Sequence, residues 1–303
     1  MKLTLHGQHC EGEACAAGPL CRGGRAGSKS SIASRPADEF DLTSDPDLTD
    51  LPAGDPDFGI DYDRQDGIPV YGMLDAIGQL VRRLGLTRSI EVGTTLFRVR
   101  VAEKTINLAG PNDLGPPSRD NAKQPNRMSP AGIVMFYGAT DRETAIAETI
   151  EPERTVMEGK NVWVARFAVL RELRVLDLTD LPPIPSIFDS QLRELKNGIS
   201  FLHDFVDDLV EPIERDGREH IEYVPTQIVT EYFRHRFWSS DGKRLDGILY
   251  RSSKREHSTA CVLFVNGQNC GVITEPWLQP EQVLRLLDAE TEVLDGTDVG
   301  AGL

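Results

Sequence analysis

The stretch that decides the fold is residues 126–148, NRMSPAGIVMFYGATDRETAIAE. Its apolar run at residues 133–136 predicts a short buried strand. The T-x-x-E pattern at residues 140–143 predicts a capping box that opens a helix directly afterwards. This strand, turn and helix bring Arg127, Tyr137 and Glu148 to one junction.

The three side chains at this junction suit a small anionic ligand that carries a planar ring. The planar fork of Arg127 can bind a phosphate through two hydrogen bonds, and the ring of Tyr137 can stack on a base or a pyridine. Each of the three residues also has a purely structural interpretation. Arg127 is equally suited to hold a loop, Tyr137 to end a strand, and Glu148 to face solvent on its helix.

Length and composition are those of a globular protein. A chain of 303 residues, 39% of them hydrophobic, can form one large domain or one domain with a small partner. No run of about 18 apolar residues occurs, so we expect no membrane span. The N-terminus has no signal-peptide profile, and we therefore expect a cytoplasmic location.

The net charge of −15 comes from two segments. Residues 36–63 contain ten Asp or Glu and no Lys or Arg, and residues 286–303 contain five acids and no base. Elsewhere acids and bases are equal in number. Such acidic segments are typical of solvated chain and sometimes of a docking strip for a basic partner. Because phosphates require a basic surface, direct binding to nucleic acid is disfavoured.

Five cysteines form an odd set without the pattern of a disulfide framework, which favours a reducing compartment. Three of them lie near two histidines in the N-terminal arm: Cys10, Cys15, Cys21, His6 and His9. The cysteine separations differ from the tight spacing of a zinc knuckle. We therefore expect no metal, and the alternative of a zinc site in this arm remains open.

Hydrophobic periodicity predicts helices and strands in irregular alternation. The predicted helices are 70–84, 188–210, 225–237 and 281–287, and the predicted strands are 96–101, 133–136, 161–169, 173–178, 247–250 and 261–265. The apolar face of the first helix comprises Met73, Ile77, Leu80, Val81 and Leu84, and Gly85 ends it. No dinucleotide-binding or P-loop glycine motif occurs, so the pattern indicates an α+β domain.

Residues 96–264 resemble the RES domain family, which is named for its Arg, Glu and Ser. The matching pieces are LFRVRV, LGPP, NRMSPAGIVMFYGATDRETAIAE, YVPTQ and DGILYRSS. The family serine aligns best with Ser252, and Ser253 is the alternative.

This resemblance implies a fold similar to ADP-ribosyltransferases, with a mixed sheet core and flanking helices, and consumption of NAD as substrate. It implies site residues Arg127, Tyr137, Glu148 and Ser252, with Arg98 as an additional ligand contact. Family members resemble bacterial toxins that are encoded with a helix-turn-helix antitoxin. The long N-terminal extension and the inserts near residues 188–222 depart from the small members.

Combined with this resemblance, the sequence predicts four parts. They are a flexible acidic segment (1–66), a helical lead-in (67–90), a RES-like catalytic domain (91–287) and an acidic tail (288–303). The first hypothesis is an NAD glycohydrolase that releases nicotinamide and ADP-ribose, or ADP-ribose phosphate, and acts as a toxin. The second is a protein ADP-ribosyltransferase. The third is a catalytically silent module that binds a nucleotide or a protein.

Overall fold

The computed structural model describes residues 70–150, 159–190, 192–211, 219–271 and 281–292. Its helices are α1 (Val70–Arg83), α2 (Pro111–Leu114), α3 (Arg142–Thr149), α4 (Lys196–Val210), α5 (Glu219–Glu222) and α6 (Val224–His235). Its strands are β1 (Thr87–Ile90), β2 (Thr95–Glu103), β3 (Phe136–Ala139), β4 (Lys160–Val169), β5 (Leu173–Asp177), β6 (Gly247–Arg251), β7 (Thr259–Leu263), β8 (Cys270–Gly271) and β9 (Leu284–Glu292).

The nine strands of these described residues form one mixed sheet in the order β1-β5-β6-β7-β3-β2-β4-β9-β8. The pairs β5/β6 and β8/β9 are parallel, and the other pairs are antiparallel. Together with the helices, this sheet confirms the predicted α+β class. Expectations for residues 1–66, including the Cys and His cluster, fall outside the described residues, as do those for residues 293–303.

One face of the sheet is covered by helices. Side chains of α1, α4 and α6 pack there with Leu176, Ile248 and Val262. Next to them, α3 packs over β2 and β4, where Ala145 meets Val99. In β3, Tyr137 packs with the cluster of α1, α4 and α6, and Ala139 packs with the cluster of α3. Alternate residues of a strand share a face, so both groups of helices cover the same face of the sheet. The space between α3 and α6 therefore lies above the centre of the sheet.

The opposite face carries a second core around two aromatic rings. Phe136 and Phe167 meet edge to face at 5.2 Å between ring centroids. Leu114 of α2 is fully buried in the same cluster. The predicted alternation of β2 is confirmed, because Leu96 lies in this core whereas Val99 lies under α3.

Helix α1 shows one error in the predicted apolar face. Leu74 is buried with Ile77, Leu80, Val81 and Leu84, whereas Met73 is 54% exposed. The rotation of the helix is set by packing against α6, which lies closer to Leu74. Gly85 ends the helix with a φ of 60°, as predicted, because a residue without Cβ adopts this left-handed conformation easily. The lead-in is not wholly helical, since β1 pairs with β5.

Two further predictions about elements are wrong. The strand predicted at residues 133–136 is formed by Phe136–Ala139 instead, because its ladder with β7 begins at the pair of Phe136 and Leu263. The helix predicted at residues 281–287 is the strand β9, which pairs with β4 from Leu284 to Glu292. Its leucines mimic a helical spacing, but β4 offers an open edge that only a strand can use. Residues 288–292 of the predicted tail thus belong to the sheet.

The other elements differ from prediction mainly in their bounds. The helix expected over residues 188–210 starts as a 3-10 turn at Arg193–Leu195 and becomes α4 at Lys196. The long loop at 110–130 contains α2 and a 3-10 turn at Arg119–Asn121. The strands expected at 161–169, 173–178, 247–250 and 261–265 are found as β4, β5, β6 and β7.

Candidate active site

Helix α3 presents Glu148 to the space between α3 and α6. Its N-cap is Asp141, one residue after the predicted Thr140, and the Asp141 carboxylate accepts from the backbone N–H and the hydroxyl of Thr144, both at 2.8 Å. An ionised carboxylate is a strong acceptor at this position, which explains the shift by one residue. Thr144 and Ala145 are buried against the sheet and orient Glu148, which follows one turn later.

The end of β6 brings Ser252 to Glu148. The hydroxyl of Ser252 donates a hydrogen bond of 2.5 Å to Oε1 of Glu148, and it accepts one of 3.1 Å from the backbone N–H of Lys254. Ser252 is buried, whereas Ser253 is exposed. The structure thus brings Ser252, rather than its neighbour, to the carboxylate.

The loop that carries Arg127 is held by the first turn of α6. Thr226 donates its hydroxyl to the carbonyl oxygen of Arg127 at 2.5 Å. The amide of Gln227 donates to the carbonyl oxygens of Asn126 at 2.8 Å and Ser129 at 3.4 Å. Both side chains are buried. The sequence pattern YVPTQ therefore contributes to the site by fixing the backbone on both sides of Arg127.

The guanidinium of Arg127 lies between two helices. It donates to the carbonyl oxygen of Asp208 in the last turn of α4, and it lies 5.6 Å from the ring centroid of Tyr223, at the start of α6. A guanidinium has five N–H donors, so the contact with Asp208 does not exhaust its capacity. Arg127 thus holds its loop against α4 and the start of α6.

Tyr137 lies in the middle of β3, half-buried between the sheet and the loop of Arg127. Its hydroxyl is hydrogen bonded to the hydroxyl of Ser129 at 2.9 Å. Burial raises the pKa of Tyr137 to about 12, against the smaller opposing effect of the bond to Ser129. The phenol therefore stays neutral, and its ring is fixed by packing on one side.

Arg98 leaves β2 on the other side of the sheet. Its guanidinium donates to the backbone carbonyl of Tyr137 and lies 5.4 Å from the ring centroid of Phe136. Burial and the like charge of Arg100 lower the pKa of Arg98 to about 10. These contacts support β3 from behind, and the structure does not bring Arg98 to the same face as Glu148. Its role as a ligand contact stays a prediction.

Sequence reasoning missed Tyr250 of β6. It precedes Ser252 by two residues, so both side chains leave the strand on one face. Burial raises the pKa of Tyr250 well above its usual value, and the negative charge of Glu148 raises it further. Tyr137 also raises this pKa, whereas the positive charge of Arg127 lowers it. The available signal was its spacing from Ser252 in DGILYRSS. The apolar strand around it pointed instead to an ordinary core residue.

The candidate site consists of Arg127, Tyr137, Glu148, Tyr250 and Ser252, which supply one carboxylate, one guanidinium, one buried hydroxyl and two aromatic rings. Arg127 can hold a phosphate, the rings can flank a planar group, and the Glu148 carboxylate can act on a centre between them. Within the described ranges, no group of three or more His, Cys, Asp or Glu is placed to hold a metal ion. In the same ranges, none of the helices has the length and apolar character needed to cross a membrane.

The structure is an α+β domain with a nine-stranded mixed sheet among the described residues, and a serine and a glutamate from distant parts of the chain are hydrogen bonded on its helical side. A family model described as the RES domain matches residues 95–290, which is well over half of the chain. The chain therefore belongs to the RES domain family. No curated protein and no solved structure matches it.

Proposed function

We propose that this protein is an NAD-consuming enzyme that cleaves the bond between nicotinamide and ribose. The observation that carries the proposal is the 2.5 Å hydrogen bond from Ser252 to Glu148, which joins residues 104 positions apart. A glutamate held in one orientation beside an arginine and aromatic rings suits a dinucleotide with a planar cationic ring. Membership of the RES domain family supports an NAD-related role.

The reaction needs one carboxylate rather than two. Nicotinamide in NAD is a cationic N-glycoside, so it departs as a neutral molecule and needs no general acid, unlike the leaving oxygen of an ordinary glycoside. The ribose then develops positive charge. The Glu148 carboxylate accepts a hydrogen bond from a ribose hydroxyl and stabilises this charge, while Ser252 keeps the carboxylate in position.

The remaining groups bind and orient the substrate. Arg127 holds the pyrophosphate, and the loop contacts from Thr226 and Gln227 fix its backbone in advance. Tyr137 flanks the nicotinamide ring. Because the substrate is positioned when it binds, the entropy cost of ordering it does not add to the activation barrier. The acceptor is water, which gives free ADP-ribose, or phosphate, which gives ADP-ribose phosphate.

The proposal includes a toxin role in which NAD depletion stops growth and a helix-turn-helix partner relieves it. Growth of cells that express the chain tests this role. Expression of wild type should arrest growth and lower cellular NAD, whereas Glu148→Gln should do neither. Normal growth with active enzyme present would separate the enzymatic proposal from the toxin role.

The enzymatic proposal is tested by incubating purified protein with NAD and quantifying nicotinamide, ADP-ribose and modified protein. We expect free ADP-ribose from wild type and a loss of about 100-fold in rate for Glu148→Gln. Glu143→Gln is the matched control, because Glu143 lies on the same helix but is exposed. ADP-ribose attached to protein would favour transferase activity. No nicotinamide release by folded wild type would overturn the proposal.

A further inference from the structure

Tyr250 lies in a row of the sheet that contains two small side chains. In the sheet it pairs with Ala260 of β7, which pairs in turn with Ala139 of β3. The two alanines are buried, and the row continues to Phe97 of β2, which pairs with Ala139. Helix α3, which carries Glu148, packs across β3 and β7 directly above. Tyr250 and Ser252 lie two residues apart at the end of β6, so the ring of Tyr250 lies on the face of the sheet that α3 covers.

Two charged side chains act on the Tyr250 hydroxyl. The negative charge of Glu148 raises the pKa of Tyr250, and the positive charge of Arg127 lowers it by a smaller amount. No hydrogen bond joins this hydroxyl to any residue of the described ranges, although Ser252 on the same face is bonded to Glu148. Burial keeps the pKa of Tyr250 high, so its hydroxyl retains its proton at neutral pH. It is a neutral donor beside a carboxylate acceptor.

We propose that the Tyr250 hydroxyl contacts the ligand directly and donates a hydrogen bond to a ribose hydroxyl. The same ribose hydroxyl donates its own hydrogen bond to the Glu148 carboxylate. This inference rests on the proposed function. A ribose hydroxyl is both a donor and an acceptor, so a phenol and a carboxylate together satisfy it. Neither side chain alone does so. Tyr250 and Glu148 would thereby select a ligand with a second ribose, such as ADP-ribose, over a nucleotide that lacks this sugar.

The test measures binding of ADP-ribose and of ADP by calorimetry, and kcat/KM for NAD, in wild type and Tyr250→Phe. ADP contains the phosphates but not the second ribose. We expect Tyr250→Phe to weaken ADP-ribose binding and to lower kcat/KM about fivefold to tenfold, with ADP binding changed less than about twofold. Tyr232→Phe is the matched control, since it removes a largely buried hydroxyl of α6 that neighbours Asp75. Its ligand affinities should equal those of wild type.

The possible results separate this inference from the proposed function. Cleavage of NAD by wild type, with the same ADP-ribose affinity and kcat/KM in Tyr250→Phe, would overturn the role of Tyr250 and leave the enzyme proposal intact. Equal weakening of ADP and ADP-ribose would also overturn it, because the contact would then not involve the second ribose. If wild type neither cleaves NAD nor binds ADP-ribose, both proposals fail.

Discussion

The hydroxyl of Ser252 donates to Oε1 of Glu148 at 2.5 Å, which joins the end of β6 to α3. The backbone N–H of Lys254 donates to the same hydroxyl and leaves its proton directed at the carboxylate. A hydrogen bond to a charged acceptor is stronger than one between neutral groups. Ser252 therefore limits the orientations of Glu148 before any ligand binds.

If Ser252 acts through Glu148, the effects of substituting the two residues on kcat should not be additive. We expect Glu148→Gln to lower kcat for NAD cleavage about 100-fold and Ser252→Ala about tenfold, with the double variant close to Glu148→Gln alone. Steady-state kinetics of the three variants measure this coupling. Ser253→Ala is the control, since Ser253 is exposed. A larger loss for Ser253→Ala than for Ser252→Ala would show that the assignment of the serine is wrong.

The hydrogen bonds from α6 to the Arg127 loop predict a defect in substrate binding at a distance from the chemistry. Thr226→Val removes the donor to the Arg127 carbonyl with little change in shape, and we expect kcat/KM to fall about tenfold, mainly through KM. Thr226→Ser should restore it, because the hydroxyl returns.

Thr230→Val provides a matched control on the same helix. The Thr230 hydroxyl donates to the carbonyl of Thr226 at 2.8 Å, and among the described residues no hydrogen bond joins it to the loop. Its kinetics should match wild type, and thermal unfolding of both valine variants checks that each is folded. An equal rise of KM in Thr226→Val and Thr230→Val would contradict a specific role for Thr226.

Gly138 lies between Tyr137 and Ala139 where no side chain fits. A Cβ at this position would lie 2.6 Å from Cε1 of Phe136 and 2.8 Å from the carbonyl oxygen of Phe97. The carbonyl belongs to the neighbouring strand and cannot move aside, so Gly138→Ala should lower the free energy of unfolding by about 1–3 kcal/mol.

Denaturant unfolding with Gly267→Ala as control tests this expectation. A Cβ at Gly267 would have no atom within 4 Å. That variant should unfold like wild type. Equal stability of Gly138→Ala and wild type would mean that β2 and β3 can separate at this point.

The raised pKa of Tyr137 predicts a loss of stability at alkaline pH. The pKa of Tyr137 is raised by burial from 10.0 to about 12. A group whose pKa is raised in the folded state stabilises that state fully below pH 10, and this contribution is lost as the pH rises from 10 to 12. Tyr137→Phe should therefore show a smaller drop in unfolding free energy over this interval than wild type. Denaturant unfolding at several pH values measures it, and identical pH profiles of the two proteins would contradict the burial of this phenol.

Two features of the fold could be predicted from local sequence alone. The alternation of β2 and the end of α1 at Gly85 both follow from spacing. These patterns depend on residues within a few positions of one another, where backbone geometry determines which side chains share a face.

Other features depend on contacts between distant parts of the chain. The rotation of α1, which exposes Met73, is set by α6, and β9 is a strand because β4 offers it an open edge. The support of the Arg127 loop by Gln227 joins residues 98 to 101 positions apart. No local pattern contains these partners.

The sequence by itself determined the family, the α+β class and the types of side chain in the site, because motif order and periodicity are local properties. Tertiary structure alone decided that Ser252 holds Glu148 and that Arg98 lies on the opposite face of the sheet. The physical reason is that strand pairing and helix packing set distances between residues far apart in the chain, and the geometry of the candidate site depends on those distances.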